Sequence, residues 1–145
     1  MSSRPSWTEY GMGVARAVSA RGDCTRRQVG AVILDAQHRV CGAGYNGAYP
    51  GGPSCLRGEC PRGLSDVEPG SSYDTGAGAC HAVHAEMNAL LDVDSRERLV
   101  GATLYVTTEP CDGCLKILRS TRIRWIIYAD GDGGLVSLHQ PFHKE

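Results

Sequence analysis

Two apolar segments separated by a short polar turn stand out in the first third of the chain. Residues 29–34 are almost continuously apolar, residues 35–38 form a polar turn, and residues 39–45 are mostly small or apolar. Because each flanking segment has the length and composition of a β-strand, the pattern predicts a hairpin. Upstream, residues 7–20 carry small and apolar side chains at helical spacing and end just before a glycine, which predicts a helix.

Strand-like and helical patterns alternate in the second half of the chain. The predicted elements are a helix at 82–91, a strand at 103–107, a helix at 111–120 and a strand at 124–128. Residues 133–139 are left to form a fifth strand or a short helix. A hairpin followed by this alternation predicts an α/β fold, with a central mixed sheet of four to five strands covered by helices.

Size and composition indicate one domain over residues 1–145. The chain has 145 residues, of which 41% are hydrophobic, and a formal net charge of −1, so we expect a single core. Residues 47–79 are rich in glycine and proline, which predicts a long inserted loop with a function. No apolar run approaches the ~20 residues of a membrane span, and the first residues lack the apolar stretch of a secretion signal. The seven cysteines therefore indicate metal binding in a reducing cytoplasm rather than disulfides.

Two short clusters carry residue types that bind metals, His84-Ala85-Glu86 and Pro110-Cys111-Asp112-Gly113-Cys114. Cys111 and Cys114 stand at positions i and i+3 where a helix is predicted to begin, so both thiolates can face one ion. With His84 they would supply three ligands to a tetrahedral zinc. The fourth position would stay open for water, which distinguishes catalytic from structural zinc sites.

Each cluster alone has a simpler interpretation. A lone histidine near a helix start is usually a surface or core residue, and an isolated Cys-x-x-Cys also occurs in structural zinc sites, in redox pairs or as buried thiols. A redox pair fits poorly, because the motif lacks a thioredoxin-like aromatic-Cys-Gly-Pro-Cys context. The joint pattern, with Glu86 two residues after His84 and a proline before the paired cysteines, is typical of zinc deaminases that act on bases.

Four segments extend the pattern beyond the two clusters. They are Arg27-Gln28-Val29-Gly30-Ala31-Val32-Ile33, Gly44-Tyr45-Asn46-Gly47, His84-Ala85-Glu86-Met87-Asn88-Ala89-Leu90 and Thr107-Thr108-Glu109-Pro110-Cys111-Asp112-Gly113-Cys114. Over roughly residues 24–128 the chain therefore resembles the deoxycytidylate (dCMP) deaminase family of the cytidine deaminase superfamily. The resemblance implies a cytidine deaminase-like three-layer α/β/α fold.

The resemblance also implies a role for each residue of the two clusters. His84, Cys111 and Cys114 would hold the catalytic zinc, and Glu86 would be the proton shuttle. The implied reaction is the hydrolysis of dCMP to dUMP and ammonia. Zinc would lower the pKa of a bound water molecule toward ~7, and Glu86 would serve first as base and then as acid.

The substrate-binding residues implied by the resemblance are Asn46, Ala85, Arg26 and Arg27. Asn46 would meet the sugar, although Asn-Gly is also the commonest pair in hairpin turns. Arg26 and Arg27 precede the first strand, and the planar fork of an arginine suits a phosphate. Each arginine, taken singly, is better explained as a solvated surface charge.

Some dCMP deaminases carry a second, structural zinc, and Cys24 and Cys55 match that pattern. The histidine and glutamate that complete the site in those relatives do not align with this chain. Cys60 and Cys80 are the expected substitutes, with His81 in reserve. A closed four-cysteine site would hold the long loop in place, because its binding energy acts as folding energy; the alternative is four unpaired thiols.

Three functions are compatible with these motifs. The first is deamination of dCMP as a free nucleotide, since a near-neutral chain is not expected to bind nucleic acid broadly. The second is deamination of another amino-heterocycle, such as a cytidine, a modified or antibiotic nucleotide, or an adenosine in transfer RNA. The third is a non-catalytic, zinc-stabilised binding module, against which Glu86 argues. The resemblance further implies a homo-oligomer, commonly a hexamer, and no membrane partner is expected.

Overall fold

The computed structural model describes residues 3–64, residue 68 and residues 79–141. In chain order its helices and strands are α1 (Trp7–Ser19), β1 (Gly30–Leu34), β2 (Val40–Tyr45), α2 (Pro61–Leu64), α3 (Ala85–Asp92), β3 (Thr103–Val106), α4 (Asp112–Leu118), β4 (Trp125–Ala129) and β5 (Leu135–His139). Two short 3-10 helices, Cys55–Arg57 and Arg96–Leu99, lie in the connections. The five strands and the three longer helices occur in the predicted order.

The strands form one mixed sheet in the order β2-β1-β3-β4-β5. β1 pairs antiparallel with both β2 and β3, β4 pairs parallel with β3, and β5 pairs antiparallel with β4. The predicted hairpin is confirmed as β1 and β2, and the element left open at residues 133–139 is the fifth strand. Because β2, β3 and β4 run in the same direction, their carboxyl ends lie at the same end of the sheet.

Alternating side chains of the central strands build two apolar cores on opposite faces of the sheet. On one face Ala31 and Ile33 of β1 join the buried side chains of α3 and α4. On the other face Val32 and Leu34 join Met12 and its neighbours in α1. The period of two along a strand therefore places α1 in one layer and α3 with α4 in another. The three-layer α/β/α fold is confirmed.

Helix α3 approaches β2 closely because glycines lie at the contact. A Cβ built on Gly42 would lie 2.5 Å from the carbonyl oxygen of Ala89, and one built on Gly44 would lie 2.7 Å from that of Ala85. Both glycines are buried. A side chain at either position would push α3 away from the sheet, because close-packed interiors leave no spare volume. The two glycines thus place the first turn of α3 beside the end of β2.

The helix predicted at 82–91 begins later than its pattern suggests. Val83 pairs with Gly47 in an isolated antiparallel bridge, which keeps the chain extended as far as His84. The helix therefore starts at Ala85. His84 precedes the helix instead of lying within its first turn, because tertiary pairing overrides the local pattern.

The inserted loop contains more regular structure than its glycine-rich composition predicts. The 3-10 helix Cys55–Arg57 and the four-residue helix α2 lie within it. Residues 65–67 and 69–78 of the predicted loop lie outside the described residues. Within the described part of the chain, none of the helices has the length and apolar character needed to cross a membrane.

Replacing Gly44 by alanine should destabilise the fold. The added methyl group would meet the backbone of α3, so we expect the free energy of unfolding to fall by about 1–3 kcal/mol, as for other overpacked cores. Urea denaturation followed by circular dichroism measures the change.

The matched control for this substitution is Gly13→Ala. Gly13 is an exposed residue of α1, and nothing lies within 4 Å of a Cβ built on it. Alanine there should raise the free energy of unfolding by about 0.5–1 kcal/mol, because glycine is a poor helix former. A Gly44→Ala protein as stable as the parent would contradict the close contact between α3 and β2.

Candidate metal centre

Two helix N-termini converge at the carboxyl ends of β2 and β3. His84 is the N-cap residue of α3 and Cys111 is the N-cap residue of α4; both have extended backbone conformations and make no side-chain capping hydrogen bond. Their side chains are therefore available to bind a ligand. The prediction that the ligands lie at adjacent helix N-termini is confirmed.

The three predicted zinc ligands form a compact cluster. His84 Nδ1 lies 3.4 Å from the Sγ atom of Cys111 and 3.4 Å from that of Cys114, and the three atoms all lie within 4.8 Å of one another. A tetrahedral zinc with Zn–N of about 2.0 Å and Zn–S of about 2.3 Å separates its nitrogen and sulfur ligands by about 3.5 Å. Both the donor set and the spacing fit zinc. In the part of the chain that the structure describes, no other group of His, Cys, Asp or Glu side chains forms such a cluster.

Electrostatics at the cluster also favour a cation. Glu86 lies in the first turn of α3, is only 4% exposed, and contacts Cys114. Burial first, and then the negative charge of Glu86, raise the pKa of the Cys114 thiol well above its usual range. A buried carboxylate beside two thiols is costly without positive charge nearby. A divalent cation would remove that cost and hold the thiols as thiolates.

Asn46 follows directly after β2, but its side chain binds the backbone. Its Oδ1 accepts a hydrogen bond from the N–H of Val29 at 2.9 Å, and its Nδ2 donates to the carbonyl of Arg27 at 3.0 Å. Its backbone pairs with Val29 and Asp23, so the alternative role in a hairpin turn is wrong. The amide has a second lone pair and a second hydrogen. The sugar contact therefore stays a prediction.

The other predicted substrate-binding residues lie in different surroundings. Ala85 is 1% exposed, and its methyl group belongs to the apolar core beneath α3. Arg26 and Arg27 are both exposed. Arg26 lines a cavity together with the four cysteines of the predicted second site. The roles of these three residues in substrate binding stay predictions.

The cysteines predicted to hold a second zinc, Cys24, Cys55, Cys60 and Cys80, line one cavity of about 310 Å³. Cys60 contacts Cys80, and burial raises the pKa of the Cys80 thiol. Among the described residues, no three of these sulfur atoms lie within 4.8 Å of one another. The four thiols thus surround one cavity, but their sulfur atoms are not as close together as the expected four-cysteine zinc site requires. The second zinc stays a prediction.

Two polar residues outside the predicted set fix the backbone around these sites. Asp23 Oδ1 accepts hydrogen bonds from the hydroxyl of Ser54 and from the N–H of Leu56, both at 2.9 Å, and so anchors the inserted loop. Asn88 in α3 donates hydrogen bonds to two backbone carbonyls. One belongs to Tyr45 at the end of β2, and the other to Val83, directly before His84. In the sequence Asn88 stands within the segment 84–90 that carries the family resemblance, but nothing there indicates which backbone groups its side chain contacts.

Known proteins resemble this chain along most of its length. Residues 5–130 match the family model described as the cytidine and deoxycytidylate deaminase zinc-binding region. The chain is 51% identical over 127 residues to the deoxycytidylate deaminase of Mycobacterium phage D29, covering 87% of this chain and 96% of the phage protein. It is 39% identical over 126 residues to that of Schizosaccharomyces pombe, covering 86% of this chain but only 37% of the longer yeast protein.

A solved structure shares the architecture as well. The dCMP deaminase of cyanophage S-TIM5 in its apo form matches with a TM-score of 0.65 and 26% identity, over 90% of this chain and 88% of that one. All three ligands of the compact cluster fall inside the range matched by the family model. The chain therefore belongs to the cytidine and deoxycytidylate deaminase family.

Proposed function

We propose that this chain is a zinc-dependent hydrolase that converts dCMP and water to dUMP and ammonia. The observation that carries the proposal is the buried carboxylate of Glu86 beside the cluster of His84, Cys111 and Cys114. A purely structural zinc site has no need of such a carboxylate. The choice of dCMP is supported by the 51% identity to the phage deoxycytidylate deaminase, of which the chain spans 96%.

The ligand cluster would hold zinc through one nitrogen and two sulfur atoms. His84 would ligate through Nδ1, because this nitrogen faces both thiols, and Nε2 would then carry the proton. Cys111 and Cys114 would ligate as thiolates at the positive end of α4. When bound, zinc supplies the Lewis acidity that makes a water molecule nucleophilic near neutral pH.

Glu86 moves the protons of the reaction. Its carboxylate accepts a proton from the attacking water and delivers it to N3 of cytosine while the water oxygen bonds to C4. The second proton passes from the new C4 hydroxyl through Glu86 to the amino group, which leaves as ammonia. One water is consumed, a C4 carbonyl forms, and the carboxylate is restored. Because Glu86 is buried, bulk water does not compete with it for these protons.

The nucleotide would be held between the end of β2 and the segment preceding β1. Asn46 is buried at that junction and bound to the backbone of Arg27 and Val29, so its remaining hydrogen-bonding positions are fixed in direction. Ala85, which directly follows His84 at the start of α3, would contribute to the binding of the base. The exposed guanidinium groups of Arg26 and Arg27 suit the phosphate, because a planar fork can donate two hydrogen bonds to it.

Turnover by purified, zinc-loaded protein tests the function. Ammonia release and product mass are followed with dCMP, CMP, deoxycytidine, dCTP and a transfer RNA as substrates. We expect conversion of dCMP at the highest kcat/KM. Selective conversion of any other member of this panel would replace dCMP as the substrate, and zinc-loaded protein inactive on all of them would overturn the proposal.

Glu86→Gln should abolish most turnover while leaving zinc in place. The substitution keeps the size of the side chain but removes the proton acceptor, so we expect kcat for dCMP to fall about 10²- to 10⁴-fold. Ammonia release and metal analysis are measured on the same samples. Glu97→Gln is the control, because Glu97 is exposed and lies in the 3-10 helix Arg96–Leu99. Parent-level turnover by Glu86→Gln would rule out its role as the base.

We further propose a second, structural zinc held by Cys24, Cys55, Cys60 and Cys80. All four thiols line the same cavity, and Cys60 already contacts Cys80. Zinc–sulfur bonds of about 2.3 Å would draw the four sulfur atoms together. Because Asp23 anchors Ser54 and Leu56, the intervening Cys55 is held at the cavity that it lines.

Cys55→Ser should lower the zinc content from two ions per chain to one. A serine hydroxyl binds zinc far more weakly than a thiolate, so the four-cysteine site would lose its ion while the catalytic cluster kept its own. Metal analysis under reducing conditions measures the stoichiometry. Cys41→Ala is the control, because Cys41 packs against the apolar core and belongs to neither cluster. Equal zinc content in parent and Cys55→Ser would exclude the second site.

The proposed setting is a single domain with an inserted loop, working as a homo-oligomer in the cytoplasm. Both apolar cores share one sheet, which supports a single domain. All seven cysteines are free thiols, as the reducing cytoplasm maintains them. Leu64 and Leu91 are 73% and 78% exposed, and burial of such side chains between subunits supports assembly.

A further inference from the structure

We infer that Asn88 is a positioning residue that holds the zinc ligand His84 and the wall of the substrate pocket in fixed relation. This rests on the proposed function as far as the substrate is concerned, whereas its consequence for zinc binding does not. Asn88 lies one turn after His84 in α3, and its backbone N–H donates to the His84 carbonyl at 3.0 Å. Its side chain is half-buried, and its amide nitrogen contacts backbone carbonyl oxygens.

The Asn88 amide gathers three carbonyl groups from two separate segments. Nδ2 lies 2.7 Å from the carbonyl oxygen of Tyr45, 3.4 Å from that of Gly47 and 3.3 Å from that of Val83. Tyr45 and Gly47 flank Asn46, the residue proposed to meet the sugar. Val83 is the residue directly before His84. One NH₂ group therefore joins the pocket wall to the backbone that carries the metal ligand.

Among the described residues, few other hydrogen bonds join the end of β2 to the segment before His84. Gly47 and Val83 form an isolated bridge of two hydrogen bonds, 3.1 and 2.8 Å long, and the His84 side chain makes no capping bond that would fix the start of α3. Without the Asn88 amide, the carbonyls of Tyr45 and Val83 would lose a donor at a half-buried position, which is unfavourable. The segment around His84 would then be free to shift relative to Cys111 and Cys114. Partners that orient a metal ligand typically change metal affinity when removed.

A second contact on the same helix supplies a matched comparison. Asp92 lies one turn beyond Asn88, and its Oδ2 accepts a hydrogen bond from the N–H of Ala43 at 3.0 Å. Both side chains therefore bond α3 to the backbone of β2. Only Asn88 reaches the segments that hold His84 and Asn46. Removing either side chain should loosen α3 from β2. Only removal of the Asn88 side chain should also displace the backbone that carries His84 and Asn46.

The test compares Asn88→Ala with Asp92→Ala for zinc affinity and for kinetics with dCMP. We expect Asn88→Ala to weaken zinc binding about 10- to 100-fold, measured by competition with a chromophoric chelator, and to raise KM by a larger factor than it lowers kcat. Alanine is the better helix former, so a weaker helix would not explain these losses. Asp92→Ala should change both quantities by no more than about 2-fold. Urea denaturation of each protein separates these effects from lost stability.

Asn88→Asp is the second variant, because it keeps the shape of the side chain but replaces the donor with an acceptor. Loss of zinc affinity with either Asn88 variant, at a stability matched by Asp92→Ala, supports the inference even if Asn88→Ala fails to fold. Parent-like zinc affinity in a folded Asn88 variant, or equal losses in Asn88→Ala and Asp92→Ala, would overturn it. If the parent binds zinc but leaves dCMP unchanged, the proposed function fails while the zinc comparison still decides the role of Asn88.

Discussion

The compact cluster of His84, Cys111 and Cys114 depends on the meeting of two helix N-termini on one face of the sheet. α3 and α4 pack into the same apolar core, and their first residues are preceded by His84 and Cys111 as N-caps. If either helix began half a turn earlier or later, the side chain at its start would point away from the cluster, because successive helical residues point about 100° apart. Apolar packing therefore fixes the geometry of a polar site. The ion would contribute the last constraint rather than the first.

Hydrogen bonds from polar side chains to the backbone also hold the segments around the cluster in place. Asp23 holds the inserted loop, Asn46 holds the segment before β1, and Asn88 holds the end of β2. All three carry short side chains with few rotamers, so little conformational entropy is lost when they are fixed. Loops around a catalytic pocket need such attachments, because they lack ladder hydrogen bonds of their own. Carboxylate and amide groups thus fasten the backbone of the inserted loop, of the segment before β1 and of the end of β2.

The sequence predicted what depends on local pattern and spacing. Alternating and helical periodicities located four strands and the three longer helices and left residues 133–139 open between a strand and a helix. The joint spacing of His84, Glu86, Cys111 and Cys114 identified the metal cluster. It did not predict that His84 would precede its helix, since a bridge between Gly47 and Val83, distant in sequence, decides that boundary. For the same reason the backbone contacts of Asn46 and Asn88 were inaccessible. Apart from Val83, which lies five residues before Asn88, their side-chain partners lie 17 to 43 residues away, and the sequence has no periodicity that pairs such positions.

The contacts between α3 and β2 also affect how this protein meets its neighbours. β2 is an outer strand of the sheet, and an outer strand normally offers unpaired N–H and carbonyl groups to any extended chain that approaches. Here the N–H of Ala43 and the carbonyl of Tyr45 are already bonded to Asp92 and Asn88. A foreign strand would have to displace both side chains to extend the sheet on this side. The helix that carries Glu86 thus protects this edge of the sheet against pairing with another chain.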